Sequence, residues 1–411
     1  MLQISKPVGL LVCVLALLLG GCALFGSGTS STSSKSATAT PQQPGLTPGP
    51  QSTAQPPDGW YRVANGERFV DDINTRGLTV SPADRGRLVG CMLPAGYRTA
   101  GHPFFALSTD GGRTWQARPL PGTLQVVVCQ VVADTQQADT FVVHLETLGS
   151  QTLATAPTYL TTDAGLTWQL LTPSDSDVRS IRPWPTGLVA GHLFATLCCD
   201  PLTPTGQDTV ERFPNGSWQI VNTQPHDAHL PSLQSANSFA VDPDDPQRLY
   251  IAANYGDANT GGMGIFASTD GGATWKAIYH ITNLNLAVIW TEPDGRIYVQ
   301  QTVGTETPTQ YQLYYGANHG ASWTPIALHD RSSGGEQVIT SAANRVVTVT
   351  AGHVFSLDPS TGVYSLLGTA PEFGGDIHVA GFFQCTIAEG TTPTLVCGSQ
   401  SDIYARPLPA A

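Results

Sequence analysis

The sequence predicts an all-β chain folded as a closed ring of repeated four-stranded antiparallel sheets, and three observations carry that prediction. A Gly- and Trp-marked motif returns about every fifty residues. Between its copies the same order of short apolar runs and turns recurs. Composition supplies the third: 43 Gly and 31 Pro in 411 residues, with 12% charged side chains, is turn chemistry on a scale that long helices do not use.

Charge narrows the function classes. Lys and Arg number 19 against 31 Asp and Glu, for a net charge of −12, and the lysines are only Lys6, Lys35 and Lys276. A chain so poor in cations has no basic patch with which to neutralise a phosphate backbone, which excludes nucleic acid as a partner.

The elements follow in chain order. Residues 1–21 carry one cation, Lys6, and then the apolar run Val8 to Leu19. That run is too short for a permanent transmembrane helix but suits the core of a signal peptide. It ends in Leu19-Gly20-Gly21-Cys22, which resembles the bacterial lipobox. The resemblance implies cleavage before Cys22 and lipidation of that cysteine, so the mature chain is expected to be exported and held to the membrane surface by acyl chains. From Ala23 to Pro57 the sequence is almost wholly Ser, Thr, Gly, Pro, Gln and Ala. Such a segment buries too little to offset ordering and is expected to act as a tether (22–57), with a root-mean-square reach of about 30 Å. The globular head is expected at 58–411.

Within the head, four segments align without gaps. They are Ser108 to Trp115, Thr161 to Trp168, Ser268 to Trp275, and a degenerate Gly316 to Trp323. These resemble the Asp-box, or BNR repeat, of pattern Ser-x-Asp-x-Gly-x-Thr-Trp. In each, the acid or amide (Asp110, Asp163, Asp270, Asn318) accepts backbone N–H groups in a tight hairpin, Gly supplies positive φ, and the Trp (Trp115, Trp168, Trp275, Trp323) returns to the core. The box is therefore read as a folding device. The gap of 107 residues between Trp168 and Trp275 is two periods, and Pro214-Asn215-Gly216-Ser217-Trp218 fills it as an eroded copy. Asp358 to Gly362, followed by Val363-Tyr364, is another.

Ser238 to Val241, Leu249 to Ala253 and Gly264 to Ser268 give three strands before the third full box, and Leu78 to Val80, Leu88 to Cys91 and Phe104 to Leu107 repeat the plan. Each unit thus reads as four strands with the box between the third and fourth, the plan of a β-propeller blade. At the C-terminus, 378–383, 393–397 and 403–407 make three strands without a fourth, whereas Trp60 to Val63 is a fourth strand without a unit. Joining them gives a seven-bladed propeller closed by both termini, which removes the open sheet edge. Six blades is the alternative.

Six cysteines remain after Cys13 and Cys22, an even count in an exported chain. Cys91 with Cys129, and Cys385 with Cys397, are the expected disulfides; Cys198-Cys199 is either a vicinal pair or reduced. No Cys-x-x-Cys occurs, and His226 and His229 have no third ligand at recognisable spacing, so neither metal nor cofactor is expected.

If the boxes mark one face of the disc, the connections from second to third strands lie on the other, where propellers generally bind ligands. Tyr97, Arg98, His102, Tyr255, Asp257, Asn259 and Glu306 fall there and suit sugars or peptides. Asp-box families include peptide- and protein-binding propellers, such as the sortilin ectodomain and photosystem II assembly factors, and also sialidases and xyloglucan-active enzymes. The sialidase pattern has an Arg-Ile-Pro before its first box. Here no Arg-Ile-Pro precedes Trp115, and Ile181-Arg182-Pro183 is in the wrong order and place. The expectation is a monomeric, non-enzymatic recognition or scaffold module for a protein or glycan partner. The alternative is a glycoside hydrolase drawing on loop carboxylates such as Glu146, Asp257, Glu306 and Glu372, which do not pair from sequence.

Overall fold

The computed structural model describes residues 59–409 except 65–67, 70–76, 94–102, 122–125, 148–156, 172–181, 199–208, 222–238, 256–261, 282–286, 304–309, 327–336, 343–344, 351–352, 370–383, 391 and 399–402. The described residues form seven antiparallel sheets of four strands arranged as a seven-bladed β-propeller. Blade 1 is Leu78–Ser81, Asp84–Leu93, Phe104–Ser108 and Gln116–Pro119, with the short strand Arg68–Phe69 added beside the far end of its second strand. Blades 2 to 6 begin at Val126–Ala133, Arg182–Val189, Phe239–Asp242, Ala287–Glu292 and Gln337–Ala342, and each continues strand by strand in chain order.

Blade 7 is assembled from both termini. Gln384–Ala388, Thr394–Gly398 and Ile403–Pro407 are its first three strands, and Tyr61–Ala64 pairs with Ile403–Pro407 as the fourth. The run 378–383, expected from sequence as this first strand, lies outside the described residues; the described strand is Gln384–Ala388. The apolar run His378 to Phe383 resembles a strand, but the paired register starts at Gln384↔Gly398.

The core is a set of seams, one between each pair of neighbouring blades. Because side chains alternate along a strand, one strand serves two seams. Tyr298 packs with Val346 and Leu357 between blades 5 and 6, while its neighbours Ile297 and Val299 pack with Tyr250 and Ile265 between blades 4 and 5. Leu88 faces Val396 of blade 7, and Val89 faces Val131 of blade 2. The last seam joins Trp60, Leu395 and Tyr404 of blade 7 to Val347 and Val354 of blade 6. Seven such clusters run round the ring without a break. Stability is therefore shared among contacts that each need the neighbouring blade to be in place.

The box tryptophans are less uniform than the motif suggests. Trp115 is buried, whereas Trp168, Trp275 and Trp323 are half-buried and lie along the rims of their seams. The outermost strand has no further sheet to cover it, so an indole there meets the seam on one side only.

Trp60 is fully buried and starts the strand that closes the ring. Trp60→Ala is expected to lower unfolding free energy by about 3–5 kcal/mol in denaturant titration. Val363→Ala, at a side chain 60% exposed on the outer strand of blade 6, should change it by about 0.5 kcal/mol or less. Equal, small losses would contradict closure through the N-terminal strand.

Candidate functional site

Most of the face that carries the boxes is among the described residues. Asp110 Oδ1 accepts the N–H groups of Arg113 and Thr114 at 3.0 and 2.9 Å, and its Oδ2 accepts the Thr114 hydroxyl at 2.6 Å. Asp163 and Asp270 repeat this with Thr167 and Thr274. The hydroxyl two residues before each acid is a second anchor: Ser108, Thr161 and Ser268 each donate to the carboxylate and accept the amide of Gly112, Gly165 or Gly272 at 2.8 Å. Desolvation raises Asp110 and Asp163, but the bonds from Thr114 and Thr167 outweigh it. They hold Asp110 below the usual carboxylate range and Asp163 at about 2. At Asp270 the Thr274 hydroxyl is the leading cause, and the value is again about 2. These acids are fixed anions over the physiological range, suited to holding a turn and unsuited to proton transfer.

The residue after each box acid is bent into the left-handed region, with φ of 73° at Gly111, 58° at Ala164, 67° at Gly271 and 57° at His319. That bend aims its N–H at the start of the second strand of the same blade or at the turn just before it. Gly111 donates to Gly86 O, Ala164 to Asp139 O, Gly271 to Gln247 O and His319 to Gly295 O, at 2.7 to 3.1 Å. The following glycine is required by packing as well: a Cβ on Gly165 would lie 2.7 Å from the Phe105 ring.

Carboxylates at the ends of first strands link the blades. Asp134, fully buried, accepts four backbone N–H groups: Gln136 and Gln137 in its own turn, and Ala190 and Gly191 in blade 3 at 3.2 and 2.7 Å. Asp242, also buried, accepts from Tyr250 OH at 3.2 Å and bonds His319 Nδ1 of blade 5 at 2.9 Å. Burial, reinforced by Asp242, pushes the Tyr250 phenol up. In blade 3, His192 Nδ1 lies 2.6 Å from Glu211 Oε1; burial raises the Glu211 carboxyl, partly offset by this contact.

At the axial end of this face a polar cluster draws on four blades. Glu292 closes the first strand of blade 5 and is 7% exposed, and Ser341 of blade 6 donates to it. Ser341 Oγ in turn accepts Trp290 Nε1 at 2.7 Å. Arg296 Nε stands 4.0 Å from Glu292 Oε2, while its Nη2 bonds Asp294 at 2.9 Å. Arg85 of blade 1 pairs with Glu389 of blade 7 at 2.7 Å, and both act electrostatically on Glu292. Glu292 Oε1 accepts no hydrogen bond among the described residues, and neither does the hydroxyl of Tyr298 below it. Burial first, then Glu389, push the Glu292 carboxyl up to about 7, against Ser341, Arg296 and Arg85, which lower it.

Of the ligand-binding residues expected from sequence, only Tyr255 is among the described residues. Tyr255 ends the strand Asp245–Tyr255, opposite Gly262, at the end of blade 4 away from the boxes. Tyr97, Arg98, His102, Asp257, Asn259 and Glu306 lie outside the described residues, as do Cys22, Cys199, His226, His229 and Glu372. Glu146 and Cys198 lie on the second strands of blades 2 and 3. Cys91 is joined to Cys129 across blades 1 and 2, and Cys385 to Cys397 within blade 7. Among the described residues no three His, Cys, Asp or Glu side chains converge as a metal set.

Glu292 predicts a pH dependence. Its folded value of about 7 exceeds the ordinary 4.5, so the protonated form favours folding. The contribution is complete below about pH 4.5 and is lost as pH rises through 7, about 3 kcal/mol in all. Glu292→Gln should remove that slope in denaturant titrations between pH 5 and 8.5 and should be more stable than the parent at pH 8.5. Parallel curves would contradict it.

No family model matches the sequence, and none of the curated proteins matches it. Solved structures do resemble the fold. Oligogalacturonate lyase from Vibrio parahaemolyticus aligns with a TM-score of 0.53 and 10% identity, over 87% of this chain and 95% of that one. YCF48 bound to D1 peptide aligns at 0.44 and 11%, over 85% and 95%. The GH74 xyloglucanase from Xanthomonas campestris aligns at 0.45 and 13%, over 82% of this chain and 59% of that one.

Proposed function

We propose that the chain is an exported lipoprotein whose propeller recognises a protein or glycan partner without chemical turnover. The observation that carries this reading is how the box face uses its acids. Asp110, Asp163 and Asp270 are saturated by their own turns, and Asp134 and Asp242 by interblade bonds. What holds the disc together on that face leaves recognition to the connections attached at the other, where Tyr255 stands. Two disulfides support folding in an oxidising compartment. The Leu19-Gly20-Gly21-Cys22 junction supports lipid anchoring, and the Ser/Thr/Pro/Gly-rich 23–57 supports display of the head away from the membrane.

Two experiments test the reading. Cys22→Ala should move the protein from the membrane to the soluble fraction or stall its processing; unchanged membrane fractionation would remove the anchor. The mature protein, screened against arrays of peptides and of glycans that include sialosides and β-glucans, should bind without releasing product. Hydrolysis of any glycan would replace recognition by a glycoside hydrolase.

A further inference from the structure

Arg212 is the exception to the way this fold treats arginine. It ends the third strand of blade 3, Thr209–Arg212, and only 8% of its surface is exposed. A guanidinium keeps its proton under all ordinary conditions, so burial must normally be matched by an acceptor. Five arginines of the box face follow that rule. Arg85 pairs with Glu389, Arg87 with Asp139, Arg248 with Asp242 and Arg296 with Asp294, and Arg118 donates to Asp163 O and Ala164 O.

Arg212 has no hydrogen bond or ion pair among the described residues; burial alone acts on it, lowering its pKa, and no acid raises it back. The acceptors nearest in sequence are taken. Glu211 points to the opposite face of the strand and is bonded to His192 at 2.6 Å. Asn215 Oδ1 accepts both the amide and the hydroxyl of Ser217, at 2.9 and 2.7 Å. Arg345, similarly buried, also leaves its Nη1 without an acceptor, but that atom is fully covered. Arg212 differs in that none of its guanidinium nitrogens is among the fully covered polar atoms. Its Nη2 lies 3.5 Å from where a Cβ on Gly216 would stand, under a turn whose Pro214, Asn215 and Ser217 are exposed. Gly216, at φ 90°, keeps the wall over the guanidinium down to bare backbone.

We propose that Arg212 and the turn above it form a site for one carboxylate of a ligand, on the box face and separate from the loop face argued for recognition. A carboxylate matches the planar fork of the guanidinium with two parallel hydrogen bonds and returns the buried charge to zero. A phosphate dianion would leave an excess negative charge beside a chain whose net charge is already −12.

The test uses the mature protein with glucuronate, N-acetylglutamate, glucose and inorganic phosphate as probes, read by calorimetry and by thermal midpoint at low salt. Glucuronate, N-acetylglutamate or both should bind and raise the midpoint; which of them binds more tightly identifies a sugar or a peptide acid as the source. Glucose should do neither. Arg212→Gln should weaken the carboxylate by about ten- to hundredfold while raising the ligand-free midpoint, since it removes an unpaired buried charge. Arg212→Lys, which retains charge but loses the fork, should fall between them. The site is overturned if neither carboxylate binds the parent, if Arg212→Gln binds it equally, or if phosphate binds as tightly as the better carboxylate.

Discussion

The architecture depends on one short backbone hydrogen bond, repeated in four blades, from the residue after the box acid or amide to a carbonyl at the start of the second strand or in the turn just before it. A four-stranded blade is two hairpins side by side, and their turns emerge at the same face. Without a link, each turn would be an independent exposed loop. The left-handed bend at Gly111, Ala164, Gly271 and His319 lets the outer turn reach back over the inner one, so that both ends of the blade become a single element. The carboxylate of the box holds that bend in place by satisfying the amides that the turn leaves unpaired.

The remaining polar chemistry of the face then acts between blades. Apolar seams supply the bulk of the burial, but they are non-directional and would tolerate sliding of one blade along the next. Asp134 on the amides of Ala190 and Gly191, Asp242 on His319, and Arg85 on Glu389 set the register of three of the seams at their ends. Glu292 sits where several of these pairs meet around the axis. Counting Glu292, Asp294 and Glu389 against Arg85 and Arg296, the cluster is neutral when Glu292 holds its proton. Burial of the site explains why that state persists up to about neutrality.

Much of the fold was legible because its devices are local. The boxes occupy eight consecutive residues, and the spacing of Trp115, Trp168, Trp275 and Trp323 counted the blades, including two in which the motif has eroded. Closure was legible from strands left over at both ends. The run expected as the first strand of blade 7, 378–383, lies outside the described residues, and the strand paired with Thr394–Gly398 is Gln384–Ala388, because an apolar run does not state its register. The depth of the tryptophans was overstated because the motif does not record that the outer strand lacks a cover. The polar sites were not legible. Asp134, Glu292 and Arg212 carry no pattern of their own, and what distinguishes them is burial and the presence or absence of partners more than forty residues away. The acid ending a first strand, as in Val241-Asp242-Pro243 and Thr291-Glu292-Pro293, was the available signal.

The most direct test of this account is amide hydrogen exchange, resolved by residue, on the mature protein. If the turn-to-turn bond unites each blade, the amides of Gly111, Ala164, Gly271 and His319 will exchange as slowly as those of the central strands, through global opening alone. Exchange many orders of magnitude faster than that of the central strands would show that the outer hairpins open independently and that the bond is incidental.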